Sequence, residues 1–448
     1  MTWTVASRRK GRSVHKSLGL ALALSGSLSL ASPAATAQEQ FVPLLVYETG
    51  PYAPNGVPLA HGQADYFAML NARDGGIGGV RLAIEACDTA YDDAKGVACY
   101  ERLKDRGATG AAAISPFSTE IAYALIERAT ADRIPLFTMG HGRTDTADGT
   151  VFPYVFNLPT TYWSQATSII RYIEQQAGDL TGKDIALVYH DSAYGQEPIP
   201  PLEILAETMG FTLHLFPVAH PGLEQKATWV NIGERLRPDW VVMWGWGVMN
   251  ATAIKEAAAA GYPMDRLIGN HWAGAEVDVV PAGERAVNYL AANFHGLGGG
   301  FDVHRDILEH VHDAGDGAGP SERVGEVLYN RGLLNAAIVA EAIRRAQAIH
   351  GARPLTGAEV RDGFENLDLS AERLAELGLA GFMHPVATSC ADHEGGGAVF
   401  IQQWDGAGWN RVSDWIAPMT DVVRPLIEAS AAAYATEHDI TPRACPKS

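Results

Sequence analysis

Apolar residues in this chain come in blocks. Short unbroken runs, FVPLLVYE at 41–48, VRLAIEA at 80–86, DIALVYH at 184–190 and DWVVMWG at 239–245, are separated by longer stretches with apolar residues every three or four positions. Unbroken runs of this length fit strands buried on both faces, and the longer stretches fit amphipathic helices. The repeated strand–helix order predicts an α/β architecture with a parallel sheet. Four strands precede about residue 158, the third of them AAAIS, and a fresh series starts at DIALVYH. The pattern therefore runs twice, and the fold expected is two doubly wound parallel-sheet units.

After about residue 296 the pattern changes. GLGGGFDVHRD is a Gly-rich break, and residues 322–351 read as one long helix stopped by Gly351. Thr356 and Glu359 form a capping box that opens another helix. AVFIQQWDGAGWNRVSDW reads as a hairpin around Asp405-Gly406, and VRPLIEASAAAYATEH as a final helix.

Residues 1–37 read differently from the rest. Arg8, Arg9, Lys10, Arg12 and Lys16 precede a short apolar stretch and the small-residue site Ala35-Thr36-Ala37, the layout of an export signal cleaved after Ala37. No Cys lies at the cut, which argues against a lipid anchor. Ser7-Arg8-Arg9 hints at the twin-arginine route, but the apolar residues expected next are missing, which favours ordinary secretion. The 34 basic residues less these five leave 29 against 52 acidic, a net charge of -23 for the exported part. So acidic a surface repels nucleic acid and anionic lipid, and no other segment reaches transmembrane length.

Export changes the reading of the four cysteines, Cys87, Cys99, Cys390 and Cys445. An even count in an oxidising compartment predicts two disulfides, and local pairing gives Cys87–Cys99 and Cys390–Cys445. The alternative, a metal site using Cys390, Asp392 and His393, matches no established zinc spacing. His304, His310, His312 and Asp313 read as a solvated helix face. No metal or cofactor is expected.

Catalytic motifs are lacking: no G-x-S-x-G elbow, no H-E-x-x-H and no phosphate loop. His190-Asp191-Ser192 holds the residue types of a triad, but consecutive residues do not by themselves supply its geometry.

A set of features in order carries a resemblance. Thr49-Gly50-Pro51 with Gly56 closes the first strand, Asn71-Ala72 and Gly75 to Gly79 close the first helix, and Cys87-Asp88 ends the second strand. Ser115 to Thr119, Ile134-Pro135, Asp191 to Gly195 and Pro238-Asp239 follow at matching places. Over about residues 41–415 the chain resembles the periplasmic solute-binding proteins of the branched-chain amino acid type, which serve ABC importers. The resemblance implies lobe one from 38–158 plus 297–383, and lobe two from 159–296 plus 384–448 with the C-terminal tail. Three crossover strands would join them, and a small molecule would bind in the cleft. The implied partner is an ABC permease in the membrane, the implied site of action the periplasm, and the implied state a monomer without enzymatic activity. A secreted enzyme remains a different class of reading, as does a sensor that presents its ligand to a chemoreceptor or kinase.

The family's ligand positions carry over to Asn55, to Ser115, Phe117 and Ser118, to Gly140, His141 and Gly142, and to Tyr194, Trp246, His271 and Trp272. Ser115 and Ser118 serve equally well as helix caps. Arg143 has two readings, a charge for the ligand or a partner for Asp145 or Asp148, and for Trp246 core packing competes with ligand contact. The main departure is His271, which stands where amino-acid binders place a carboxylate for the ligand's ammonium; Asp191 or Glu276 would have to substitute. A buried ammonium without a counter-charge is unfavourable. The ligand expected is therefore an aromatic or apolar carboxylate, with branched-chain or other amino acids as the alternative.

Overall fold

The computed structural model describes residues 39–446; the expected export signal, with its cut after Ala37, lies outside them. β1 (Gln40–Val46) and β2 (Leu82–Asp88) run parallel, as do β3 (Leu136–Phe137) and β4 (Val155–Phe156). Segment 111–114 threads between the two pairs: Ala112 N–H donates to Phe41 O, and Ile114 bridges Leu136. This is the expected AAAIS strand, reduced to one bridge. Its run of alanines supplies little of the branched side-chain packing that orders a ladder.

A second sheet holds β5 (Asp184–His190), β6 (Thr212–Val218), β7 (Trp240–Trp244), β8 (Leu267–Gly269) and β9 (Leu290–Asn293), all parallel. A separate antiparallel pair, β10 (Asp368–Leu369) and β11 (Val386–Ala387), stands apart. β12 (Phe400–Trp404) then adds antiparallel to β9 and turns at Asp405-Gly406 into β13 (Trp409–Arg411). The order is β13-β12-β9-β8-β7-β5-β6. β5 thus has its successor β6 on one side and β7 on the other, and such a reversal opens a crevice at the strands' carboxyl ends.

The long helix forms as Val327–His350, capped by Gly351 at φ 95°, and it packs on the helix Ala53–Arg73. Two glycines set that approach. A methyl on Gly62 would enter the backbone of Tyr329, and one on Gly332 the backbone of Leu59. The long helix is buried nearly all round, which brings Asn330, Arg331 and Asn335 into the interior. Its expected first turn, 322–326, is a short 3-10 turn at Ser321–Arg323 instead. The capping box forms as read: Thr356 Oγ1 accepts from Glu359 N–H, and the Glu359 carboxylate from Thr356 N–H.

Both expected disulfides are present, with Cα–Cα distances of 5.8 Å for Cys87–Cys99 and 5.6 Å for Cys390–Cys445. The last helix, Thr420–Glu437, straddles the molecule. Val423 and Ile427 pack with Trp163, while Tyr434 and Ala435 join Phe41 and Phe152 under the first sheet. Beyond it Arg443 donates to Gly149 O at 2.8 Å and Cys390 O at 3.1 Å, and pairs with Glu365.

The His304–Asp313 segment is solvated only in part: Asp313 is exposed and His310 half-buried, whereas His304 and His312 turn inward. His304 is fully buried with Nε2 2.7 Å from Asn330 Oδ1, and His312 Nε2 lies 3.0 Å from the buried Asp65. Among the described residues no group of three or more His, Cys, Asp or Glu is placed to hold a metal ion, and no helix is long and apolar enough to cross a membrane.

Candidate functional site

The loops leaving the carboxyl ends of both sheets converge on one narrow, partly open cavity. Four wall residues precede residue 158: Tyr91, Phe117, Thr119 and His141. Four follow it: Tyr162, Tyr194, Trp246 and Trp272. Tyr91 follows β2, and Phe117 with Thr119 opens the helix Thr119–Asp132. Trp246 follows β7 and Trp272 follows β8. Tyr91 and Phe117 hold φ of 59° and 48°, a left-handed conformation unfavourable for bulky side chains. Packing fixes them there: Tyr91 tilts on Tyr52 at 4.5 Å between ring centroids, and Phe117 stacks on His141 at 5.9 Å.

No wall residue is a carboxylate or a permanent cation. Most polar atoms on the wall already have partners. Trp272 Nε1 donates to Tyr162 Oη at 3.1 Å, and Tyr162 Oη shares a hydrogen bond of 3.1 Å with Thr119 Oγ1. Tyr194 Oη donates to Gly245 O at 2.9 Å and accepts from Asn270 Nδ2 at 2.8 Å. Two buried wall atoms lack a partner, His141 Nε2 and Trp246 Nε1. Neither atom is committed to an internal hydrogen bond, so both are free toward the cavity.

Burial lowers the His141 pKa to about 4, so the ring is neutral at pH 7. Its Nδ1 lies 3.3 Å from Met139 O, and a carbonyl only accepts, so Nδ1 carries the proton and Nε2 is an open lone pair. Moving the proton to Nε2 gives up one long hydrogen bond, about 1 kcal/mol. Charging the ring at pH 7 would cost about 4 kcal/mol. His141 therefore offers a guest a neutral acceptor or a neutral donor.

Toward solvent lies a second, more open chamber of about 890 Å³, which shares Tyr91, Tyr194 and Trp246 with the first. Asp92, Asp93, Glu120 and Asp191 line it, with His190 and His220. His190 Nδ1 lies 2.9 Å from Ser192 Oγ, so part of the expected triad types do meet. The other imidazole nitrogen faces His220 Nδ1 at 3.3 Å, not a carboxylate, so among the described residues no acid bonds this imidazole. Tyr52 Oη bonds the same His220 nitrogen at 2.8 Å, tying the first helix's loop to the segment after β6.

Of the eleven carried-over positions, Phe117, His141, Tyr194, Trp246 and Trp272 stand on the inner wall. The others do not. Ser118 is the N-cap of its helix, accepting from Ile121 N–H at 3.3 Å. Ser115 Oγ donates to Phe137 O and accepts from Asn335 Nδ2 at 2.7 Å, an internal tie. Gly140 and Gly142, at φ of 66° and 81°, shape the turn that presents His141. Asn55 is buried inside the first helix. His271 lies behind the wall, its Nδ1 2.5 Å from Gln165 Nε2 and its ring stacked on Tyr162 at 5.9 Å. Arg143 pairs with Asp145 at 2.6 Å, away from the cavity. Glu276 is buried elsewhere, accepting from Val327 N–H at 3.0 Å, and Asp191 reaches only the outer chamber. Tyr91, Thr119 and Tyr162 are wall residues that sequence reasoning passed over.

The chain matches the periplasmic binding protein family over residues 39–409. Among solved structures it is similar to an ABC transporter permease from the Pseudomonas fluorescens group, with 46% identity, 91% of this chain and 100% of that chain covered, and a TM-score of 0.86. It is similar in fold to a branched-chain amino acid ABC transporter from Thermus thermophilus with bound valine, at 24% identity, 87% and 99% coverage and TM-score 0.73. An ABC transporter solute-binding protein from R. palustris in complex with benzoate aligns at 18% identity, 85% and 97% coverage and TM-score 0.64. A search of curated proteins found no match.

Proposed function

This chain belongs to the periplasmic binding protein family, and from that premise we propose that it captures an aromatic or apolar monocarboxylate in the inner cavity and hands it unchanged to an ABC permease. The observation that carries the ligand class is the wall itself: seven aromatic rings counting His141, one threonine and no carboxylate. An ammonium placed there would lose its hydration with nothing to replace it, whereas a ring stacks on the wall and an acid group meets the two unpartnered atoms. Relatives alike in fold hold valine in one case and benzoate in another, so the fold does not choose between them.

The protein acts as an exported periplasmic monomer of two lobes, 38–158 with 297–383 and 159–296 with 384–448, hinged at their crossings. Separate sheets support that division, as do bonds that reach across it. Thr144 Oγ1 donates to Glu197 at 2.8 Å, Tyr123 Oη donates to the same carboxylate, and Tyr52 meets His220. Opening breaks them and closing restores them.

An amino-acid ligand is the second reading. It rests on Glu120 and Asp191, which would take an ammonium projecting through the Tyr91 boundary into the outer chamber. One screen separates the two. Thermal shift followed by calorimetry with leucine, valine, benzoate and phenylacetate is expected to select the aromatic acids. At 100 times its dissociation constant a ligand adds about 2.7 kcal/mol of stability. Tight leucine or valine binding with no response to the acids would overturn the carboxylate reading.

A further inference from the structure

Arg331 lies near the start of the long helix with no exposed surface. Its guanidinium donates to His271 O at 2.6 Å, to His295 Nε2 at 3.2 Å and to Asn293 Oδ1 at 3.3 Å, all neutral acceptors. Among the described residues no Asp or Glu pairs with it within 4.0 Å. The nearby acids are engaged elsewhere. Asp278 accepts from Asn250 Nδ2 and Ala275 N–H, both at 2.9 Å, and Glu276 accepts from Val327 N–H. Neutral ligation replaces water around a buried cation but leaves it without a directly paired carboxylate, Asp278 and Glu276 acting on it only from a distance. The neighbouring imidazoles register that charge: His271 and His295 are pushed down by burial first and by Arg331 next.

This charge stands directly behind the cavity. Arg331 Cζ is 4.8 Å from the Trp272 ring centroid, and Trp272 belongs to the inner wall but not to the outer chamber. At the opposite end, beyond Tyr91, Tyr194 and Trp246, stand the four carboxylates of the outer chamber. The cavity therefore spans a field, positive at the Trp272 end and negative at the mouth. Two unit charges about 8 Å apart in a medium of effective dielectric about 20 attract enough to change affinity about 30-fold.

We infer that Arg331, acting through Trp272 without touching the guest, selects an anion and orients it, its carboxylate toward Trp272 and the unpartnered His141 Nε2 and Trp246 Nε1, and its apolar body toward Tyr91. Arg331 is a specificity-determining residue in this role, and the inference rests on the reading that the inner cavity takes an organic acid.

Calorimetry on the full chain with two matched pairs, benzoate with benzamide and phenylacetate with phenylacetamide, tests it. Asn293→Asp places a carboxylate where Arg331 Nη2 already donates and leaves the cavity wall intact. The wild type is expected to prefer each acid over its amide about 30-fold. Asn293→Asp should cut that preference at least tenfold, with amide affinity within about twofold of wild type; it also gives up the Asn293 Nδ2 donation to Gln402 Oε1, so a lower melting temperature is expected in a protein that still folds. Arg331→Gln should abolish the preference and Arg331→Lys retain most of it. Unchanged preference in Asn293→Asp overturns the role of Arg331 while leaving organic-acid capture standing. A wild type that shows no preference, or binds none of the four, overturns the organic-acid reading and this inference with it. Should Arg331→Gln fail to fold, the Asn293→Asp result decides alone.

Discussion

Trp246 and Trp272 meet edge to face, ring centroids 5.0 Å apart and planes at 78°, although they leave different strands of the second sheet. The contact joins the cavity's mouth to its inner end, because Trp246 faces both chambers and Trp272 only the inner one. Edge-to-face pairs of this kind add about 0.5–1.5 kcal/mol beyond area burial.

Trp246→Phe keeps most of that contact and removes the unpartnered Nε1–H. Affinity for an aromatic acid should fall about tenfold, the worth of one hydrogen bond to a charged acceptor. The melting temperature of the free protein should shift by little, since no internal bond is lost. Calorimetry and a thermal melt check the two halves; unchanged affinity would remove Trp246 Nε1 from the site.

Stability should decline with rising pH across the neutral range. Burial pushes Glu197, Glu276, Asp278 and Glu394 up to about 7. In the unfolded chain such groups release their protons near 4. Between those values the folded state binds more protons, so stability is fullest below about pH 4 to 5 for these groups and is lost as pH passes through 7. Each contributes on the order of 3 kcal/mol. Buried neutral imidazoles such as His141 and His190 act in the opposite sense below about pH 6.5, so the comparison is between proteins above that pH. Chemical denaturation should show the wild type losing more unfolding free energy than Glu197→Gln between about pH 6.5 and 8; parallel profiles would contradict the assignment.

Replacing Cys390 and Cys445 by Ser should release the tail, because the bond closes a span of 55 residues. The expected loss is about 2–4 kcal/mol. Arg443, His438 and Ile440 then hold the end, and hydrogen exchange should rise in residues 430–446 before the first sheet is affected. Equal exchange in both proteins would mean that packing of Tyr434 suffices.

The fold was legible because central strands of the second sheet, β5 and β7, are nearly unbroken apolar runs; the strand that failed to form a ladder lies between the first two pairs. AAAIS lacks the side chains that order a ladder. In the site, aromatic residues just past a strand end, Trp246 and Trp272, could be read directly. Tyr91 escaped because its loop holds a left-handed backbone that no glycine announces. Tyr162 and Thr119 looked like ordinary first residues of helices. Ser115 and Ser118 have the right chemistry for a ligand, but their hydroxyls are spent on Phe137 O and Ile121 N–H. Arg331 sits in an apolar helix, where period alone cannot tell a buried cation from a surface one.

The four acids rimming the outer chamber bear on timing. An anionic guest arriving from solution meets repulsion before it meets the aromatic box, so capture is slowed at low ionic strength and quickened by added salt. Departure starts from inside, where the enclosing rings leave little room for screening ions. Stopped-flow traces should therefore show association accelerating with salt while the dwell time of the complex stays nearly constant.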